Sequence, residues 1–127
     1  MSKKLKFDLV SPERLLVSSE VDGVQVPGQE GDFGVLPDHS ALISVIRPGI
    51  LSVNSGGDQQ DYYVRGGFAD VNENGLTVLA EFAVELSAFT ADMQAAEIEL
   101  AQSQLAEADD DQVRLSAQTV LDVVAAL

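Results

Sequence analysis

The chain has 127 residues, 46% of them hydrophobic, no cysteine, and a formal net charge of −14 at pH 7 from 21 acidic and 7 basic side chains. That length holds one ordinary domain, or a small domain with an appendage, and the apolar content supports a core rather than disorder. The missing cysteines exclude disulfides and thiolate metal sites and fit a reducing compartment. The acidity argues against nucleic acid and anionic lipid as direct partners, because both demand lysine and arginine.

Met1–Lys6 carries lysines with no long apolar run behind them, so it reads neither as a secretory signal nor as a transit peptide. No apolar run approaches the ~18 residues that cross a bilayer. The expectation is a soluble chain with no direct membrane insertion. The first half then reads as β structure. Leu5, Phe7 and Leu9 alternate with Lys6 and Asp8, as Val24 and Val26 do about Gln25 and Leu76, Val78 and Ala80 do near the end. A period of two puts one face in a core and the other in water. Asp22-Gly23, Pro27-Gly28, Pro48-Gly49, Gly56-Gly57-Asp58 and Asn74-Gly75 supply turns. Asn74-Gly75 is the sharpest, the pair a type I′ hairpin prefers. Arg65-Gly66-Gly67-Phe68 reads as a strand with a glycine bulge and Phe68 in the core. Many short strands between such turns predict an antiparallel sandwich or barrel.

Past Glu85–Phe89 the character changes. Glycine stops at Gly75, proline at Pro48, and alanine becomes the commonest residue. Ala95, Ile98, Ala101, Leu105 and Ala108 recur three or four apart and predict one helix, with Thr90 as N-cap and Asp92 favourable in the first turn. Asp109 followed by Gln112 has capping-box spacing, so a second helix is expected with Val113, Ala117, Val120, Leu121 and Val124 as its stripe. The fold class is therefore α+β, with a β domain over 1–86 and an antiparallel two-helix hairpin over 87–127. Such alanine-rich helices bury little area and are near the length at which isolated helices are marginal, so the hairpin needs a partner surface. Charge divides unevenly: residues 1–80 hold 11 acids and 6 bases, net −5, and residues 81–127 hold 10 acids and 1 base, net −9.

Catalytic inventories fail. The only lysines are Lys3, Lys4 and Lys6, so no phosphate-binding Gly-x-x-x-x-Gly-Lys loop exists. One histidine without cysteine cannot make the common zinc sets, and there is no Gly-x-Ser-x-Gly elbow. Asp38-His39-Ser40 are sequence neighbours that rarely point at one another, so a hydrolase built on His39 is remote. Asp109–Asp111 lacks the spaced ligands and central glycine of a calcium loop and reads as a solvated helix cap. No catalytic residue, metal or cofactor is expected.

The richest stretch is Val26-Pro27-Gly28-Gln29-Glu30-Gly31-Asp32-Phe33-Gly34-Val35-Leu36-Pro37-Asp38-His39. It packs three glycines, two prolines, three carboxylates and the only histidine into fourteen residues. Glycine and proline constrain this backbone almost residue by residue, the mark of a rigid loop on a scaffold. With Arg47-Pro48-Gly49 behind it, the stretch closely resembles the epsilon subunits of F-type ATP synthases. Arg65-Gly66-Gly67-Phe68-Ala69-Asp70-Val71 resembles a second family stretch. The resemblance covers residues 5–85 strongly and the tail more weakly.

It implies a flattened β-sandwich with no chemistry of its own. Such a subunit works in the central stalk, clamping the gamma subunit to the c-ring so that ring rotation reaches the catalytic head. It implies c-ring contact by Glu30, Asp32 and His39, with Gly28, Gly31 and Gly34 shaping the loop and an apolar sandwich face meeting gamma. It also implies a peripheral place on the cytoplasmic face of a bacterial inner membrane. Two departures stand out. The Ile/Leu-Asp-x-x-Arg-Ala motif through which some bacterial epsilon subunits bind ATP is matched only by Ala91–Ala96, with Asp92 and Ala96 kept and Ala95 replacing the arginine. Without that cation a nucleotide loses its charge-assisted contact, so weak or absent ATP binding is expected. In many family members a basic second helix meets an acidic region of the catalytic beta subunits and inhibits hydrolysis; here the hairpin is acidic with Arg114 as its only cation, so weak or no inhibition is expected. The rival reading is a free-standing β-sandwich recognition module for a ligand or peptide, with a helical tail.

Overall fold

The structure is a computed structural model that describes residues 4–38 and 40–127. The chain divides into two compact units, Met1–Ser87 and Ala88–Leu127. The first contains β1 (Leu5–Val10), β2 (Leu15–Val21), β3 (Gly23–Gly28), β4 (Gly31–Val35), β5 (Leu42–Val45), β6 (Gly49–Ser55), β7 (Asp58–Asn72) and β8 (Gly75–Glu85). They form one hydrogen-bonded sheet in the order β2-β1-β8-β7-β6-β3-β4, with β5 also on β7.

This sheet folds over on itself, and the fold line runs through Gly66 and Gly67. Both glycines have positive φ, 71° and 107°. The β7–β8 register keeps one offset from Tyr62↔Glu85 to Asn72↔Gly75, interrupted only at Gly66, yet the inward face switches. Tyr62 and Val64 face the core before the glycines, Ala69 and Val71 after them. On β8 the same switch separates Leu76, Val78 and Ala80 from Ala83. The two long strands thus turn over together and serve both layers. One layer is β2-β1-β8-β7-β5, paired through residues 67–72 and 75–80. The other is β8-β7-β6-β3-β4, paired through residues 58–65 and 82–85. Phe7, Leu9, Val26, Val35, Leu51, Val64 and Val78 are fully enclosed between them. Each such side chain contributes roughly 1.5–3 kcal/mol by leaving water.

Several expectations need correction here. The pairing is antiparallel except for β1 on β8, which is parallel. No extra residue bulges at Gly66–Gly67, and the switch of face turns Phe68 outward, 43% exposed. The β7–β8 turn has Glu73 and Asn74 at its tip, with Gly75 following at φ 130°. The hairpin with two positive-φ central residues is instead Gly56–Gly57, closing Ser55↔Asp58.

Where the chain passes between layers at Asp22-Gly23, a small polar network fixes it. The Lys4 ammonium pairs with the Asp22 carboxylate. The Gly56 N–H donates to Asp22 Oδ2 at 2.7 Å, and the Asp22 N–H donates to the Asn54 carbonyl at 2.8 Å. The Lys4 hydrogen bond, then that of Gly56, holds the Asp22 carboxyl below its ordinary value.

The second unit contains α1 (Ala91–Glu107) and α2 (Asp111–Ala125). Thr90 caps α1, its hydroxyl accepting from the Met93 N–H at 3.2 Å. The cap of α2 is Asp110, one residue later than expected, accepting from the Gln112 N–H at 2.6 Å. The inward stripe of α1 includes Ala101, Ile98, Leu105 and Ala108, but Glu97 and Gln94 belong to it in place of the exposed Ala95. Gln94 reaches across the pair and donates to the Val124 carbonyl at 2.9 Å. On α2, Ala117, Val120 and Val124 are buried, while Val113 is exposed. Among the described residues no helix is long and apolar enough to cross a membrane.

Candidate functional site

Pairing of β3 with β4 runs from Val24↔Val35 to Gly28↔Gly31, leaving Gln29 and Glu30 as a two-residue tip. Each glycine of this hairpin has its own reason. A Cβ on Gly28 would lie 2.6 Å from the Gly31 carbonyl oxygen and 2.9 Å from the Phe33 ring. Gly31 has open space around it but takes φ 137°, which side-chain-bearing residues avoid. Gly34 is in ordinary strand, where a Cβ would press on Gln25 Oε1 at 3.2 Å.

The tip is anchored from the side by the chain that leaves β5. The Gln29 N–H donates to the Val45 carbonyl at 2.9 Å, the Arg47 N–H donates to the Pro27 carbonyl at 3.0 Å, and Gly28 bridges Ile46. The Arg47 guanidinium donates to the Gly28 carbonyl and pairs with the Asp32 carboxylate. Glu30 is exposed at the tip. Arg47 had no role assigned from sequence. The available signal was that it is the only cation between Arg14 and Arg65, beside the loop with the most carboxylates.

Glu30 and Asp32 therefore share one end of the sandwich. Asp38 lies at the other end, where Leu36–Asp38, Lys4, Lys6 and Asn72–Gly75 line a cleft of about 540 Å³. Asp38 has φ 68°, the left-handed conformation that glycine favours. His39 lies outside the described residues. On α1, Asp92, Ala95 and Ala96 are all exposed, and the helix carries no lysine or arginine. Arg114 of α2 is occupied at the helix junction, donating to Asp111 Oδ1 at 3.0 Å and to the Ala108 carbonyl at 2.9 Å. Among the described residues no group of three or more potential metal ligands clusters.

A second surface was not placed by the sequence. On the outer face of the first layer, register aligns Val45, Phe68, Leu79, Val10 and Leu15 in one cross-strand row. Ile43, 72% exposed, extends it along β5. Five strands thus present apolar side chains to water in a continuous band, a candidate interaction surface.

Residues 4–86 match the family model described as ATP synthase, Delta/Epsilon chain, beta-sandwich domain. The ATP synthase epsilon chain of Parvibaculum lavamentivorans is 51% identical over 123 residues, covering 96% of this chain and 93% of that one. The ATP synthase epsilon chain of Paramagnetospirillum magneticum is 44% identical, covering 100% and 96%. Among solved structures, a chain of the Euglena gracilis mitochondrial ATP synthase (OSCP/F1/c-ring) superposes with TM-score 0.72 at 26% identity, covering 96% of this chain and 78% of that one. A chain of the Tetrahymena thermophila mitochondrial ATP synthase central stalk and c-ring gives 0.69 at 15% identity, covering 97% and 92%, a likeness of fold. With the sandwich matched throughout and the two epsilon chains aligned over more than nine-tenths of either length, the chain belongs to the ATP synthase delta/epsilon family, among its epsilon chains.

Proposed function

We propose that this chain is a non-catalytic subunit of the ATP synthase rotor, clamping the gamma subunit to the c-ring so that proton-driven rotation reaches the catalytic head. The observation that carries this reading is the apolar band Val45–Phe68–Leu79–Val10–Leu15, which we assign to gamma. Burial of such a band supplies the adhesion that a torque-bearing joint needs, at roughly 25 cal/mol per Å². The β3–β4 tip bearing Glu30 and Asp32 faces the polar loops of the c-ring. The contact expected of His39 lies outside the described residues. The complex sits on the cytoplasmic face of the inner membrane, and this chain reaches the membrane only through its partners.

The hairpin is a weak inhibitor or none, and a weak ATP binder or none. Its supports are the net charge of −7 over residues 88–127, from 8 acids and 1 base, and the engagement of its one cation, Arg114, at the helix junction. Like charges ~4 Å apart repel by about 1 kcal/mol per pair even in water, so an acidic helix approaches an acidic surface of the catalytic beta subunits uphill. The free-standing recognition module is not favoured for a chain with relatives of this extent. Size-exclusion chromatography with a matching purified gamma subunit tests the reading. A stoichiometric complex is expected; two separate peaks from a folded chain would reduce it to a shared fold.

A further inference from the structure

The ring-facing tip holds two carboxylates that the structure treats differently. Asp32 is paired with Arg47, and the same guanidinium holds the Gly28 carbonyl at the start of the turn. The Arg47 backbone is tied to Pro27 and the next link, Gln29 to Val45, fastens the turn itself. One side chain thus grips both legs of the hairpin, Gly28 on β3 and Asp32 on β4. A guanidinium does this through its fork of donors, fixed in one plane, which an ammonium lacks. Glu30, by contrast, is exposed and makes no side-chain hydrogen bond or ion pair among the described residues.

We propose that Arg47 is a positioning residue that sets the pose of the tip, that Asp32 serves as its internal counter-ion, and that Glu30 is the carboxylate presented to the partner. This rests on the reading above and divides its labour. Seen from outside, the Arg47–Asp32 pair is nearly neutral, so the uncompensated charge of the tip is that of Glu30. Its complement is a donor group, a cationic side chain or a free amide on the partner loop. The Gln29 amide, held to Val45, is the local reporter of the pose.

Two measurements on variants of Arg47, Asp32 and Glu30 decide the matter. The first is amide hydrogen exchange at Gln29–Gly31 in the isolated full chain, where no ring is present. Arg47→Ala should speed exchange about tenfold, the size of losing a hydrogen bond from a charged group, and Asp32→Asn, which removes an exposed ion pair, a few-fold. Arg47→Lys should recover part of the protection, and Glu30→Gln should leave it unchanged. The second is ATP-driven proton pumping per ATP hydrolysed in assembled complexes. Arg47→Ala, Asp32→Asn and Glu30→Gln should each lower it. Combining Arg47→Ala with Asp32→Asn should be no worse than either alone, because both remove one clamp.

Unchanged exchange in Arg47→Ala overturns the clamp whatever the ring does. Loss of pumping in Asp32→Asn with normal exchange makes Asp32 a direct contact and overturns its assignment as counter-ion. Altered exchange with normal pumping in every variant, Glu30→Gln included, overturns the presentation of Glu30 together with the ring-facing reading, and leaves only the local clamp.

Discussion

Gly67 is the residue on which the sandwich turns. A Cβ there would stand 1.8 Å from the Leu79 carbonyl oxygen, and its φ of 107° is closed to other residues. Gly67→Ala must therefore move backbone at the fold line, with an expected loss of several kcal/mol, at the upper end of single substitutions. Chemical denaturation of the full chain measures it; a loss under ~1 kcal/mol would contradict the close approach. Asp38 is a milder case of the same chemistry. Asp38→Ala should cost about 1 kcal/mol or more, since alanine lacks the tolerance of aspartate for left-handed backbone, and Asp38→Gly should cost less. Asp22 contributes a pH signature. Its carboxyl is held below the ordinary range by Lys4 and Gly56. Its stabilising effect is complete above the unfolded value of about 4 and fades as pH falls through the lower folded value. The Tm gap between the native chain and Asp22→Asn should be open at neutral pH and narrow below about pH 4.

Elements show why some of this was legible and some was not. The alternation of Leu5, Phe7 and Leu9 announces a half-buried strand because its partners are all on one side of one face. The same counting fails on β7, since the Gly66–Gly67 switch moves the inward register from even to odd numbers and carries Phe68 outside. Reading a strand by period two assumes that the strand stays in one layer. The caps show a chemical limit. Asp109, Asp110 and Asp111 offer the same side chain at three successive positions, and only backbone geometry selects Asp110. Arg47 shows a topological one: it meets Asp32, fifteen residues away, because β5 returns alongside the tip. Among the loop glycines, a Cβ on Gly28 would press on the Gly31 carbonyl and the Phe33 ring, and Gly31 takes a positive φ, two demands that the residue type itself announces. For the hairpin, removal of a cap has a defined cost. Thr90→Ala leaves the Met93 N–H without its side-chain acceptor and should lower hairpin stability by ~1 kcal/mol, seen as faster amide exchange over the first turn of α1 with the sandwich unaffected.

At the scale of the whole molecule, the proposed function rests on two surfaces: an apolar band across one sandwich layer and an anionic tip at one end. The acidic hairpin carries a further consequence. Deleting residues 88–127 should leave ATP hydrolysis by the assembled enzyme nearly unchanged, and a several-fold activation would show that the hairpin inhibits despite its charge. The central claim, though, is that the band binds gamma. The measurement that tests it most directly is the affinity of purified gamma for the native chain and for Phe68→Asp, with Met93→Asp on the exposed side of α1 as the control. Phe68 is exposed, so the substitution leaves the core intact, and a carboxylate buried in the contact should cost at least ~2 kcal/mol, a loss of about 30-fold. The account predicts that loss for Phe68→Asp with little change for Met93→Asp. Equal affinity of all three chains would contradict it and place the gamma contact elsewhere on the protein.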